Sequence, residues 1–295
     1  MWARRSRGET LFAIINTALL LSLVVVTVYP LLYVLFASLS DPRAVAQHRG
    51  ILWWPVDVTL EAYRMVFTDP MILIGYRNTL LYVIGGTALN IALTSLGAYG
   101  LSRRNVFWKN PIMFLIVFSM FFSGGLIPSY LLVAKTLNLD DSPWALIIPG
   151  AINSMNLIIM RTAFQTVPEA LEEAARIDGA NDYVILFRII LPLSLPVLAV
   201  MILFYAVGHW NAWFAASIYL RTRALYPLQL ILREILIGNF TDAMMPSITS
   251  AGDKMPIGET IKYATIVVAT APILCVYPFL QRYFVKGVMI GAVKE

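Results

Sequence analysis

The stretch "EEAARIDGANDYVILFRIILPLSLP", Glu172–Pro196, begins with charged residues, turns at a glycine and ends as an almost purely apolar segment. Glu172 and Arg176 stand four residues apart, in the orientation that favours an ion pair on one helix. Gly179 is suited to end that helix with a positive φ angle, and Asn181 is suited to cap a second helix. The stretch therefore predicts a helix, a glycine turn and a second helix that runs into an apolar segment.

The chain around this stretch is too apolar for a water-soluble fold. Of its 295 residues, 59% are hydrophobic and 13% are charged, and the mean hydropathy is +0.74, whereas soluble domains carry about 25% charged residues. A charge at the centre of a bilayer costs roughly 2.5 kcal/mol or more, so membrane spans should occur as long uncharged runs. Six such runs occur: Thr10–Ser40, Asn78–Ser102, Asn110–Ala134, Ser142–Met160, Ile189–Leu220 and Tyr263–Gln281. The sequence therefore predicts an all-α integral membrane protein with six transmembrane helices.

Charge and loop length predict how these helices cross the membrane. The first run is longer than the ~7–15 apolar residues of a signal peptide, which favours a retained helix. Basic residues in short loops face the cytoplasm, and the Arg103–Arg104 turn, with the Asp140–Asp141 turn on the opposite side, places both termini inside. The chain then forms one transmembrane domain, residues 1–295. Its longer loops are residues 41–77 and 221–262 outside and residues 166–190 in the cytoplasm.

The polar cytoplasmic loop has two explanations that the residues alone leave open. Ala170, Ala174 and Ala175 give its first helix a small-residue side, which a groove on another protein could receive. The same pattern also fits a solvated amphipathic linker that binds nothing.

A resemblance to a known family favours the first explanation. "EAARIDGANDYVILFRIILP", Glu173–Pro192, fills the pattern EAA, three residues, G, nine residues, I-x-L-P. This pattern resembles the cytoplasmic loop of the permease subunits of bacterial ABC importers, and "GGLIPSYLLV" and the tail "YFVKGVMIGAVKE" are similar to the shorter, maltose-type permease of sugar importers. The resemblance implies the type I ABC importer permease fold, with a coupling helix that docks on a separate ATPase. The implied coupling residues are Glu173, Ala174, Ala175, Asp178, Gly179, Ala180, Leu191 and Pro192.

The same resemblance implies the partners. They are a second, longer permease that forms a heterodimer with this chain in the inner membrane, two copies of a cytoplasmic ABC ATPase, and a periplasmic or extracellular solute-binding protein, which loop 221–262 would reach. No lysine of the chain follows a glycine, so the sequence contains no phosphate-binding P-loop. ATP and Mg are therefore expected on the partner ATPase, and no cofactor on this chain. The basic residues are spread between apolar runs, which argues against nucleic acid as a partner.

A possible substrate path lies in the most polar and aromatic of the apolar runs, "LFYAVGHWNAWFAASIYL", Leu203–Leu220. Sugars stack on aromatic rings while amides hold their hydroxyl groups. The candidate residues are Asn153, Asn156, Tyr205, His209, Trp210, Asn211 and Trp213. Hydrogen bonds between helices and an aromatic belt at the membrane surface would explain the same residues equally well.

Two arginines bear on the choice of substrate. Arg221 and Arg223 follow this run directly, at its expected outer end, and look unpaired in the sequence. The family branch that the chain resembles imports polysaccharide fragments, including uronate chains such as alginate, and two free cations would attract an anionic oligosaccharide. Lipid headgroups or carboxylates of the binding protein are the alternative partners of these cations.

Other functions are less well supported by the residues. A permease for peptides or phosphate remains an alternative within transport. An intramembrane serine protease would need a GxSG motif, which the sequence lacks. His48 and His209 stand far apart and outside any HExxH motif, and Cys275 is the single cysteine, so no metal site is predicted.

Overall fold

The computed structural model describes residues 7–104, 106–238, 257–275 and 278, and over these ranges the chain is helical, with no strand and one isolated β-bridge between Ser40 and Val58. The first helices are α1 (Arg7–Ser38), α2 (Pro42–Gln47), α3 (Glu61–Thr68), α4 (Pro70–Ser102), α5 (Lys109–Phe121), α6 (Leu126–Tyr130) with a π-helical continuation (Leu131–Thr136), and α7 (Trp144–Ile147). The remaining helices are α8 (Ser154–Gln165), α9 (Glu169–Ile177), α10 (Asp182–Ile185) with a π-helical continuation (Leu186–Ile190), α11 (Leu191–Leu193), α12 (Leu195–Trp210), α13 (Trp213–Tyr219), a 3-10 turn (Arg223–Leu225), α14 (Leu228–Gly238) and α15 (Ile257–Cys275). The predictions for the termini and for the centre of loop 221–262 concern residues 1–6, 239–256 and 279–295, which lie outside the described residues.

The described residues divide into two compact units, one within Met1–Asp69 and Glu234–Thr270 and the other within Pro70–Arg233 and Ala271–Glu295. In the first unit, α1 carries an aromatic contact with the segment that follows α2. Tyr29 and Trp53 lie with ring centroids 5.9 Å apart, and the backbone N–H of Leu52 donates to the Tyr29 hydroxyl at 3.1 Å. These contacts hold the segment against the C-terminal half of α1.

The second unit is built around α4, whose 33 residues extend for about 50 Å. Helices α8 and α12 pack along it, and α7 and the 3-10 turn contact it near its N-terminal end. The fully buried side chains that join α4, α8, α10 and α12 include Ala98, Met160, Phe164, Ile185 and Met201. This core lies toward the C-terminal end of α4, beside the loop that contains α9.

The six predicted spans are not all continuous helices. Within the described ranges, three helices, α1, α4 and α15, are each long and apolar enough to cross a membrane. Two further spans would need bent pairs, with bends of 116° between α5 and the α6 segment and 89° between the α10–α11 segment and α12. The first bend follows Gly125, which has φ +85°, and the second lies between Pro192 and Pro196, which cannot donate helix hydrogen bonds.

The fourth predicted run, Ser142–Met160, departs from a single helix. It is divided into α7 and the start of α8 by residues 148–153, which include Pro149 and Gly150. Proline removes a helix hydrogen bond and glycine weakens the helix, so an uncharged run need not be one span. The count of six therefore stays a prediction.

Two of the predicted loops contain helical residues, and their bounds in the membrane topology stay predictions. Helix α4 begins at Pro70, so residues 70–77 of the predicted loop 41–77 are helical. The predicted loop 221–262 contains α14 and the beginning of α15. Both boundaries were placed at charged residues, and a charge near a helix end does not interrupt the helix itself.

Candidate functional site

The polar loop of residues 166–190 has the helix, glycine turn and helix that the sequence predicts. Helix α9 ends in a Schellman motif, in which the N–H of Gly179 donates to the carbonyl of Arg176 at 3.0 Å and that of Ala180 donates to Ala175 at 2.9 Å. Gly179 has φ +83°, a conformation that residues with a Cβ rarely adopt. The Asn181 side chain accepts the N–H of Val184 at 2.9 Å and so caps α10. These features were all predicted from the local sequence.

The predicted ion pair between Glu172 and Arg176 is wrong. The carboxylate of Glu172 pairs with Arg103 at the C-terminal end of α4, and Arg176 pairs with Asp182 at 2.5 Å. Glu172 is 6% exposed, because it lies on the face of α9 that meets α4, whereas Arg176, one turn later, is exposed and reaches Asp182 of α10. Spacing along the helix could not reveal that the nearer partner belongs to a different helix.

A second ion pair ties α9 to the end of α4. Arg104 lies 2.8 Å from Glu169, and both side chains are largely exposed, at 81% and 49%. Helix α9 therefore meets α4 through one buried and one exposed ion pair.

The predicted coupling residues divide between two sides of this loop. Ala175, Ala180 and Leu191 are partly buried and pack against the core cluster of this chain. The other predicted residues are exposed, namely Glu173, Ala174, Asp178, Gly179 and Pro192. The loop thus has one side that packs against its own chain and one side open to a partner.

Two exposed apolar residues of α9 were not singled out in the sequence. Ile177 is 87% exposed and Leu171 is 44% exposed. Together with Ala174, they recur every three residues, at spacing i, i+3 and i+6, and so share a side of the helix. That spacing was visible in the sequence.

The candidate substrate residues of α12 form hydrogen bonds within the chain. The Tyr205 hydroxyl lies 2.7 Å from that of Thr94 and accepts the backbone N–H of Asn153 at 3.1 Å. The backbone N–H of Asn156 donates to the Asn153 side chain at 3.1 Å, which caps α8. Tyr205, Asn153 and Asn156 therefore join α4, α8 and α12.

His209 connects α12 to α4 and, through Asn90, to the segment between α7 and α8. Its Nε2 lies 2.7 Å from Oδ1 of Asn90, which is fully buried and donates to the carbonyls of Gly150 and Ala151 at 2.8 and 2.9 Å. A Cβ at Gly86 of α4 would collide with this imidazole, so a glycine is needed there for the ring to fit.

The aromatic residues near the end of α12 differ in exposure. Trp210 is 7% exposed and contacts the ring of Tyr76 at 6.4 Å. Asn211 is exposed and Trp213 is 39% exposed, with the Arg233 guanidinium 4.9 Å from the Trp213 ring. Among the seven candidates, Asn153, Asn211 and Trp213 are the exposed ones.

The view of Arg221 and Arg223 as unpaired cations is wrong. The Arg221 guanidinium lies 2.8 Å from the Asp140 carboxylate, and Arg223 also has an interaction within the chain. Asp141 accepts the backbone N–H groups of Arg221 and Thr222 at 2.8 and 2.9 Å and the Thr222 hydroxyl at 2.5 Å. The bonds from Thr222 and then from Arg221 lower the pKa of Asp141 below its usual value of 3.8.

The N-terminal half of α4 holds the segment that follows Thr222. The Asn78 amide donates to the carbonyls of Ala224 and Tyr226 at 2.7 and 3.0 Å, and the Tyr82 hydroxyl donates to Leu225 at 2.8 Å. Residues 224–226 are therefore fixed to α4 by three hydrogen bonds to their carbonyls.

A cavity of about 760 Å³ lies beside this segment. Arg77, Leu81, Gly85, Trp144 and Leu225 are among the residues that line it. Trp144 is 55% exposed, and Arg77 has no ion pair with any residue that the structure describes. The cavity thus combines an aromatic surface with a cation that forms no ion pair with a described acidic residue.

Comparisons with known proteins agree with the fold and with the sequence patterns. The family model described as "Binding-protein-dependent transport system inner membrane component" matches residues 90–290. The chain is 45% identical over 285 residues to the polygalacturonan/rhamnogalacturonan transport system permease protein YtcP of Bacillus subtilis (strain 168), covering 96% of this chain and 98% of YtcP. It is also 28% identical over 285 residues to the maltodextrin transport system permease protein MdxG of the same organism, covering 95% and 96% of the two chains.

Among solved structures, the chain is similar to one from the crystal structure of a bacterial ABC transporter involved in the import of the acidic polysaccharide alginate. The TM-score is 0.87 with 34% sequence identity, covering 96% of this chain and 99% of that one.

Proposed function

Because this chain belongs to the family of binding-protein-dependent transport system inner membrane components, we propose that it is the permease subunit through which an ATP-driven importer moves an oligosaccharide. It is a transport subunit rather than an enzyme. The energy comes from ATP and Mg bound to a separate ATPase, which docks on the polar loop of residues 166–190.

The exposed side of α9 carries this proposal. Leu171, Ala174 and Ile177 present apolar surface at the end of the molecule where a membrane helix, α4, has just ended in two arginines. A lipid-facing surface would need no charged neighbours, and three apolar residues that share an exposed side of a helix form the kind of patch that marks an interaction site. A groove on a cytoplasmic partner accounts for both features.

Cysteine substitutions test this docking surface. We expect Ala174→Cys, in a Cys275→Ser background, to crosslink to the ATPase and to become protected from thiol reagents when the ATPase binds. Ala175→Cys is the matched control, because Ala175 packs against the core of its own chain and should label slowly with or without the ATPase. Rapid labelling of Ala174→Cys in the assembled transporter would support a solvated linker instead.

The remaining partners follow from the family. We propose a heterodimer with a longer permease, a second ATPase copy below that permease, and a solute-binding protein that meets loop 221–262 on the outer side. The N- and C-termini then lie in the cytoplasm. Co-purification tests this assembly: an ATPase and a second permease should be recovered with this chain, and recovery of the chain as a homodimer with the ATPase would exclude the heterodimer.

We propose a uronate-containing oligosaccharide as the substrate. YtcP is named for polygalacturonan and rhamnogalacturonan transport, and the structurally similar transporter imports alginate; both involve acidic sugars. The Arg77 cation and the Trp144 ring on the wall of the 760 Å³ cavity suit a carboxylate and the apolar face of a sugar ring. Asn211 and Trp213 do not line that cavity, so substrate contacts with them would be separate from it. Contacts with the other candidates would require interactions within the chain to open; these candidates are Asn153, Asn156, Tyr205, His209 and Trp210.

Uptake by the reconstituted transporter tests the substrate class. An acidic and a neutral oligosaccharide of equal length are compared in the wild type, in Arg77→Gln and in Arg221→Gln. We expect the acidic sugar to be preferred, and Arg77→Gln to raise its KM about tenfold with little effect on the neutral one, as expected for the loss of a charge-assisted contact. Arg221→Gln is the control, because Asp140 already pairs with this cation. Equal uptake of both sugars would contradict the proposed uronate substrate but not the proposal that the chain is an importer subunit.

A further inference from the structure

A charged residue that contacts three helices, Arg103, lies where α4 meets the polar loop. Besides its ion pair with Glu172, the Arg103 guanidinium donates to the Ser102 hydroxyl at 2.9 Å and to the Phe164 carbonyl at the end of α8 at 3.0 Å. It also lies 5.1 Å from the centre of the Tyr99 ring. One side chain therefore joins α4, α8 and α9.

This ion pair is buried, whereas its neighbour is not. The Arg103 and Glu172 side chains are 17% and 8% exposed, against 81% and 49% for Arg104 and Glu169. A buried ion pair is a poor source of stability compared with apolar packing, but removal of one partner leaves an uncompensated charge. A pair of this kind fixes geometry, since the two helices can hardly separate without exposing both charges together.

Helix α4 reaches from this ion pair to the opposite end of its unit without a break. At its other end, Asn78 and Tyr82 hold the carbonyls of residues 224–226. The polypeptide between α9 and α12, by contrast, contains a π-helical segment and a bend of 89°. Force applied to α9 would be absorbed by that bent connection but not by a straight helix.

We propose that Arg103 and Glu172 are positioning residues that lock α9 onto the end of α4, so that a movement of the coupling loop is transmitted through α4 rather than along the chain to α12. This inference rests on the proposed function, because it needs an ATPase that moves α9. The exposed side of α9 binds the ATPase, and the Arg103–Glu172 pair makes α4 follow.

The experiment uses the complete transporter, with both permeases, the ATPase and the substrate-loaded binding protein, in lipid nanodiscs. Glu172→Gln and Arg103→Gln remove the charge at nearly constant volume. We expect the ATPase to remain bound, while the ratio of stimulated to basal ATP hydrolysis falls about tenfold, within the usual range of coupling between sites. The matched control is Arg104→Gln with Glu169→Gln, which breaks the exposed pair and should change this ratio less than about twofold.

Two rescue variants separate positioning from a general loss of structure. The charge exchange Arg103→Glu with Glu172→Arg should recover part of the stimulation. Arg103→Cys with Glu172→Cys, in a Cys275→Ser background and bridged by a short bismaleimide, should recover it only after bridging.

Each outcome decides the inference. A normal stimulation ratio in Glu172→Gln, an equal loss in the exposed-pair control, or loss of ATPase binding in Glu172→Gln overturns it, since docking should not depend on this pair. Absence of the ATPase from the wild-type preparation would instead contradict the proposed function.

Discussion

The two ends of α4 hold their neighbours by different chemistry. At the C-terminal end, Arg103 and Arg104 form ion pairs with Glu172 and Glu169 of α9. At the N-terminal half, Asn78, Thr79 and Tyr82 form neutral hydrogen bonds with the backbone of residues 224–228. One end is held by pairs of charged side chains, and the other by amides and hydroxyls that reach main-chain atoms.

This difference suits two kinds of task. Ion pairs act over several ångströms and tolerate small changes of geometry, and where they are exposed they weaken with salt. Hydrogen bonds to carbonyls depend on distance and angle and are lost after a small shift. The end held by ion pairs can keep α9 attached while α4 and the loop move together, whereas the end held by neutral hydrogen bonds fixes one position for the segment after α13.

The largest expected effect comes from a break at the neutral end. Asn78→Leu removes the donors to the Ala224 and Tyr226 carbonyls at similar side-chain volume. We expect a loss of about 2 kcal/mol in unfolding free energy, because two partly buried hydrogen bonds to carbonyls are lost together. Reversible unfolding in mixed micelles measures this loss.

Tyr82→Phe is the control for that measurement. It removes a single hydrogen bond, to the Leu225 carbonyl, and should cost about 1 kcal/mol. Neither change should weaken ATPase binding at the charged end. If Asn78→Leu were no more costly than Tyr82→Phe, the fixed position of residues 224–226 would not depend on the amide.

The next-largest effect tests the end of α4 that is held by ion pairs, through the glycine turn that follows α9. Gly179 has φ +83°, and no atom lies within 4 Å of the position where a Cβ would stand. Gly179→Val therefore introduces backbone strain without a clash, at about 1–2 kcal/mol. We expect stimulated ATP hydrolysis to fall about 5- to 30-fold at equal expression, because the strained turn reorients α9 relative to α10.

Gly179→Asn separates strain from side-chain size, because asparagine tolerates a positive φ angle. It should retain most of the stimulation. Wild-type hydrolysis in Gly179→Val would mean that the geometry of this turn has no part in coupling.

The charged end also shows how far the sequence could predict the site. The all-α permease fold is confirmed by the family match and by the TM-score of 0.87. The turn at Gly179 and the cap at Asn181 are confirmed because they depend on the residues next to them. The partner of Glu172 could not be predicted, since Arg103 is remote in the sequence and only the packing of α9 against α4 brings the two together.

The neutral end was less predictable. Asn78 and Tyr82 gave no signal in the sequence, because their partners are backbone carbonyls, which every residue has. The helix breaks at Pro149 and Gly150 were visible as residues, but the absence of charge was taken as continuity. Uncharged runs indicate which segments are buried in the membrane or the protein core, and proline and glycine indicate where such a segment bends.

The smallest expected effect concerns Asp141, whose carboxylate holds the chain just before residues 224–226. Asp141 accepts three hydrogen bonds from Arg221 and Thr222, which lower its pKa below the usual 3.8. A lowered pKa in the folded state adds stability above pH ~3.8, and this contribution is lost as the pH falls through the folded-state pKa. Thermal unfolding between pH 7 and pH 3 should therefore show a difference between the wild type and Asp141→Asn that is constant above about pH 5 and shrinks below it. Thr222→Val removes the hydroxyl and so the largest cause of the lowered pKa. It should make the acid decline smaller and leave its onset in place, since the onset depends on the unfolded-state pKa and the pKa of Asp141 in the folded state then returns toward that value. Because this carboxylate is exposed to solvent, the effect should be small, and an acid decline that is identical in all three proteins would show that Asp141 ionisation does not hold the segment after α13.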